Sequence, residues 1–169
     1  MHLDAVRQFS KQLGQVDKWL DAAVAHADAR KFDPNVFLAS RLAPDQFGLA
    51  RQIQIACDTA KRAAAFLAGK EPPAHADTET TIAELRARIH SVRAYLDTFT
   101  AKDFEGSATR VISQPRWEGK TMTGADFFRE HATPNFFFHL THVYAILRNG
   151  GVALGKKDYL GALTQTLPA

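Results

Sequence analysis

Apolar residues recur at helical intervals over four stretches of this chain. The first runs from Leu3 to Arg30, with Leu3, Val6, Leu13, Val16, Leu20, Ala23 and Ala27 spaced mainly three or four apart. The connection Lys31 to Ala43 follows, with Asp33-Pro34 as its breaker. Leu49, Ile53, Ala56, Cys57, Ala60, Ala64 and Leu67 form a second stripe, on a helix expected to begin at Pro44. Proline suits a first helical position, and Asp45 would sit beside the positive end of the dipole. The small residues of this stripe would let a neighbouring helix approach closely, and Gly69-Lys-Glu-Pro-Pro73 ends it.

A third helix starts near Thr81, whose spacing to Glu84 is that of a capping box. Ile82, Leu85, Ile89, Val92, Leu96 and Phe99 alternate gaps of three and four along it. From Lys102 to Met122 the helical period is lost. Branched residues and turn formers there predict a short hairpin, with Glu118-Gly119 in the turn and Pro115 on an edge strand. The fourth pattern begins after Thr123, which can cap toward Asp126, and meets Pro134 in its interior. Proline removes an amide donor and clashes with the preceding turn, so a kink, or a break with restart, is expected at Thr133-Pro134. Gly150-Gly151 stops the helix, and Val152 to Ala169 is expected to be irregular and to lie against the bundle. Long helices with short connections predict an all-α antiparallel four-helix bundle, one domain over 1–169, with a short β-hairpin before the last helix.

Charge narrows the partners. With 21 basic and 18 acidic residues the net charge of +3 lacks the excess of a nucleic-acid binder. Arg86, Arg88 and Arg93 on the third helix read as a solvated face, because no aromatic residues are interleaved as stacking platforms. The one cysteine, Cys57, excludes an intramolecular disulfide and reads as an inert buried thiol in a reducing compartment. The first residues lack the apolar run of a leader, and no window reaches the ~18 apolar residues of a membrane span. The expectation is a cytoplasmic protein without a membrane partner.

The chemistry concentrates on helix four. On a wheel of about 100° per residue, His139 points inward between Val143 and Ile146. Asn135, His139 and His142 form one stripe at i, i+4 and i+7. Two histidines a turn apart could share a divalent transition metal such as zinc or nickel, given a third ligand. Helix two offers Asp58 and Gln54, both off the Ile53 stripe. A core histidine bonded to a carbonyl or carboxylate is the simpler reading. Asp58, three residues before Lys61, reads as one half of a helix-surface ion pair. Phe136-Phe137-Phe138 cannot all face one core, so they pack under the hairpin or tail, or form a homodimer interface. A helix restarting at Pro134 would leave free amides near His131 and Asn135 for a small anion. No serine lies in a nucleophile elbow, and there is no phosphate-cradling glycine loop.

Arg41-Leu-Ala-Pro-Asp45, Arg51-Gln-Ile-Gln-Ile-Ala-Cys-Asp58, Asp77-Thr-Glu-Thr-Thr-Ile-Ala-Glu-Leu85, Pro134-Asn-Phe-Phe-Phe-His139, Tyr144-Ala-Ile-Leu-Arg148 and Gly155-Lys-Lys-Asp-Tyr-Leu-Gly161 resemble an uncharacterised branch of the DinB/YfiT-like proteins. The resemblance spans nearly the whole chain. It implies a four-helix bundle, often dimeric, in a family with many metalloenzymes, some of them hydrolases or thiol transferases. The triad it implies is one histidine on the second helix and a His-x-x-x-His pair on the last. In this chain position 135 is Asn, position 143 is Val, and no histidine occurs between His26 and His75. Of that triad only His139 is carried over.

The leading expectation is a non-catalytic or small-ligand-binding protein, its pocket formed by Asn135, His139, His142, Asp58 and Gln54. The alternative is a metal-dependent enzyme of hydrolase or thiol-transferase type, with His139, His142 and Asp58 on an ion that activates water or a thiol.

Overall fold

Each long apolar stripe becomes a helix in the computed structural model, which describes residues 2–165. In chain order these are α1 (His2–Arg30), α2 (Leu49–Ala68) and α3 (Ile82–Asp97), then strands β1 (Val111–Ser113) and β2 (Thr121–Thr123). A short α4 (Gly124–Asp126), a π-helical turn (Phe127–Ala132), α5 (Thr133–Asn149) and α6 (Lys156–Leu160) follow. α2 packs against α1, α3 and α5, and α1 packs against α3 and α5, closing a four-helix bundle. The central position of α2 explains its alanines. Ala56, Cys57, Ala60, Ala63 and Ala64 are fully buried where larger side chains would hold its neighbours apart. Phe9 and Trp19 of α1, Leu85 and Ile89 of α3, and Phe136 and Leu140 of α5 fill the core around it. Burying each such side chain contributes roughly 1.5–3 kcal/mol.

The termini of the helices show which local signals prevail. Thr81 and Glu84 make the reciprocal capping box: Thr81 Oγ1 accepts from the Glu84 amide at 3.2 Å, and Glu84 Oε2 accepts from the Thr81 amide at 2.9 Å. α2 ends on Gly69, whose φ of 69° is left-handed backbone that favours glycine. It begins at Leu49, not at Pro44. The chain instead turns at 43–46, where the Gln46 amide donates to Ala43 at 3.1 Å, and Gly48 caps the helix in extended conformation. Pro44 and Asp45 are exposed, so the helix starts only at Leu49, where an apolar residue has a core to face.

Pro134 does not break the last helix. Ala132 and Thr133 stay helical, and the preceding turn widens to π geometry, with the Thr133 amide donating five residues back to Phe128. The widened turn shifts the carbonyl row that the proline ring would otherwise strike. The helix never restarts, so the cluster of free amides near His131 and Asn135 expected to bind an anion does not form.

In the hairpin, Val111, Ile112 and Ser113 pair with Thr123, Met122 and Thr121. Pro115 lies outside the strands, in a 3-10 turn (Pro115–Trp117) completed by Glu118 and Gly119 at positive φ. Trp117 packs its ring on Phe127 and His131, which folds this turn back onto the π segment instead of extending the strand. Gly124 follows β2, and a β-carbon there would collide with the Ser107 carbonyl. The tail is irregular only in part. α6 docks on α1, with Tyr159 stacked on Trp19 at 5.6 Å and Trp19 Nε1 donating to the Asp158 carbonyl at 3.1 Å. The last residues expected to be irregular, 166–169, lie outside the described residues. Among the described residues no helix is long and apolar enough to cross a membrane.

Candidate functional site

Pro134 and its π turn bring the start of α5 against α2, and a cleft of about 320 Å³ opens beside them. Thr59, Asp58, Arg62, Arg51 and Ile55 line it from α2, and Phe127, His131, Asn135 and His139 from the last helical run. Phe47, Asp77, Gln114 and Arg116 close it from three loops.

His139 is buried, and its Nδ1 lies 2.7 Å from Gln52 Oε1. The Gln52 amide is oriented in turn, because its Nε2 donates to the Phe47 carbonyl at 3.2 Å. Oε1 must therefore accept, so the His139 proton sits on Nδ1 and the Nε2 lone pair is left available. Burial, helped by the charges of His142 and Arg51, pushes the His139 pKa down to about 4, so the ring is neutral near pH 7. One turn earlier the same logic fixes Asn135. The Thr59 hydroxyl donates to the Ile55 carbonyl at 2.7 Å, so it accepts from Asn135 Nδ2, also at 2.7 Å. The Asn135 carbonyl is left over.

The other predicted site residues go elsewhere. His142 donates from Nδ1 to the Phe138 carbonyl at 2.8 Å and packs its ring, tilted, against Phe138, while Gln46 Nε2 approaches its other nitrogen at 3.4 Å. It lies with His139 along a separate apolar groove at Phe47 and Phe138. Gln54 does not line the cleft: its amide donates to Glu79 at 2.9 Å and its carbonyl accepts from Arg51 at 3.1 Å. Asp58 does reach the cleft, and it does pair with Lys61, at 2.9 Å. The pair is not on the surface, however, because Lys61 is buried and Arg88 holds the same carboxylate at 2.6 Å.

Arg88 is the largest correction to the sequence reading. Its side chain is 1% exposed, not part of a solvated face. It binds Asp58 at 2.6 Å, Asp77 at 2.7 Å and Glu79 at 2.9 Å, tying the irregular 70–81 connection to the bundle. Asp77 also takes Arg51 at 2.6 Å. Burial raises the Asp77 carboxyl, but hydrogen bonds from Arg51 and Arg88 outweigh it and hold the pKa below the usual carboxylate value. Burial likewise pushes the neighbouring Cys57 thiol up to about 12, so it is not a thiolate at neutral pH.

These groups do not fit a divalent cation. Among the described residues no three His, Cys, Asp or Glu side chains converge as a metal-binding set. Asp58 is claimed by Arg88 and Lys61, His142 by its own helix, and three arginines line the cleft. The expected zinc or nickel set of His139, His142 and Asp58 is thus not brought together. Arg51, Arg62, Arg116, Thr59 and Gln114 were missed as wall residues. Arg51, Thr59 and Arg62 carried a signal, each sharing a helical face with Ile55 or Asp58 at four-residue spacing.

The family profile described as "Domain of unknown function (DUF1993)" matches residues 1–160. A crystal structure of a DinB family member protein from Shewanella denitrificans is similar to this chain at 55% identity, with a TM-score of 0.93. The match covers 96% of this chain and 93% of that one. No curated protein matches.

Proposed function

The chain belongs to the DUF1993 family, a DinB-like branch, and on that footing we propose that it is a metal-independent small-molecule-binding protein whose ligand sits beside His139. One observation carries this reading. His139 and Asn135 are each fixed from behind by α2, through Gln52 and Thr59, so that a ring nitrogen and an amide oxygen are left over at the cleft they line. Two oriented acceptors in a partly apolar recess are the makings of a ligand site. Asn135, which stands where the resemblance implies a histidine, is not a natural metal donor, and neither is the Thr59 hydroxyl that fixes it.

The homodimer belongs to the same reading. Phe47 and Phe138, 56% and 55% exposed, flank the groove on the His142 side, apolar surface that a second copy would cover. We read the protein as cytoplasmic on its single, buried thiol.

Metal analysis of protein purified without an affinity tag, combined with a nitrogen-15 NMR titration against a library of small polar metabolites, tests the proposal. The expected result is substoichiometric metal and at least one compound that saturably shifts the Thr59, Asn135 and His139 amides. About one equivalent of a transition metal, lost in His139→Ala with the fold intact, would replace this reading with the metal-dependent hydrolase or thiol-transferase alternative.

A further inference from the structure

Charge in the cleft wall is unbalanced. The wall and the ion pairs behind it hold five cationic side chains, Arg51, Lys61, Arg62, Arg88 and Arg116, against three carboxylates, Asp58, Asp77 and Glu79. The carboxylates are committed to the inner cations. Asp77 and Glu79 bind Arg88, Asp77 also binds Arg51, and Asp58 binds Arg88 and Lys61. The surplus falls on the two arginines nearest solvent. Arg62 is half-exposed and reaches Asp58 only at 3.7 Å, a carboxylate already held at 2.6 and 2.9 Å by others. Arg116 meets no carboxylate among the described residues. Its Nη2 donates to His131 Nε2 at 2.5 Å, and burial together with Arg116 itself lowers the His131 pKa, keeping that ring neutral.

A guanidinium whose partner is a neutral ring retains its full charge and most of its donors. Phe47, Ile55 and Phe127 supply an apolar surface beside these charges, and the cleft volume admits a small organic molecule rather than a polymer. Resting on the ligand-binding reading above, we propose that the cleft selects a small organic oxyanion, a carboxylate or a phosphate monoester, with its charged end on Arg62 and Arg116 and a short apolar body against Phe47, Ile55 and Phe127. Arginine forks match both headgroups, so the structure fixes the shared chemistry of the ligand.

Four probes of one shape test this: benzoate, phenyl phosphate, benzamide and benzylamine, each titrated into the full chain by nitrogen-15 NMR and calorimetry. Benzoate, phenyl phosphate or both are expected to shift the Thr59, Asn135 and Arg116 amides and to bind at least about tenfold more tightly than benzamide. Whichever of the two binds more tightly identifies the headgroup. Benzylamine is expected not to bind. Arg116→Gln and Arg62→Gln, both at exposed side chains, should each weaken the anion about tenfold and leave the melting temperature unchanged. Benzamide binding at the same amides as tightly as benzoate would overturn the proposal and leave the ligand-binding reading standing. Anion affinity unaltered in both arginine variants would overturn it too, as would four silent probes. The ligand-binding reading falls separately, on the metal assay and the metabolite titration.

Discussion

Two arginines stand two positions apart on α3 and meet opposite fates. Arg86 reaches across to α1, where its Nε donates to Asp17 at 2.8 Å and its Nη2 to Asp21 at 2.5 Å, with 29% of its side chain in water. Arg88 turns toward α2 and the 70–81 connection and is dry, with three carboxylates around it. The ion pairs have similar lengths, but their energetic meaning differs. Water already solvates the Arg86 pairs, so little is gained or lost by making them. Arg88 has given up its hydration and cannot shed its proton, so its carboxylates are a condition for folding it inside. His139 shows a third solution. It too is buried, but an imidazole can stay neutral, and it needs only Gln52.

The comparison predicts the largest loss at Arg88. Arg88→Ala should destabilise the protein by about 3–5 kcal/mol in urea unfolding, because Glu79 and Asp77 lose a buried partner and the 70–81 connection loses its tie. That connection carries Asp77 into the cleft wall, so amide exchange at 75–80 should accelerate in the same variant. A loss below about 1 kcal/mol would put Arg88 in the same class as Arg86 and break the comparison.

His139 sharpens it with a pH signature. Its folded pKa, near 4, lies below the ordinary 6.5 of an unfolded histidine. Between these values the unfolded chain binds the proton and the folded chain does not, so stability falls as pH falls through this window. The full difference is on the order of 3 kcal/mol, reached below about pH 4. His139→Gln should therefore unfold more easily than the parent at pH 7, with the gap narrowing toward pH 4 in paired urea titrations. A gap that stays constant across the window would mean that the ring is not held neutral by burial.

Much of this fold was legible because helical stripes and caps act locally. The third helix with its Thr81 box and the stop at Gly69 depend on neighbours within a turn, and they formed as read. Pro134 was read as a conflict that ends in a kink or in a break with restart; the restart does not occur, because a π turn solves the clash by borrowing one residue from the preceding turn. The cleft was legible at His139, which the wheel turns inward, and at Asn135, which it places on the same stripe at the margin. The charged wall was not, because Asp77 and Glu79 come from a connection without periodicity, and only tertiary structure brings them to α2 and α3. Arg88 did leave one trace. Taking Leu85 as zero on the wheel, Arg86 and Arg93 fall about 80–100° to one side and Arg88 about 60° to the other. It never shared their face, and an arginine at that margin of an apolar stripe calls for acidic partners on the next element.

The smallest expected effect closes the comparison from its exposed side. Arg86→Ala removes two ion pairs that look as good as any in the molecule. It should nonetheless cost less than about 1 kcal/mol, since both carboxylates return to water and Asp17 keeps His90 at 3.1 Å. What cost there is should shrink further in about 0.5 M salt, where exposed charges are screened over a few ångströms, while the Arg88→Ala loss should hardly move. Salt thus separates the two arginines by mechanism as well as by size. Equal salt sensitivity of the two variants would mean that water reaches the Arg88 cluster, and the contrast between the two sides of α3 would then be one of degree.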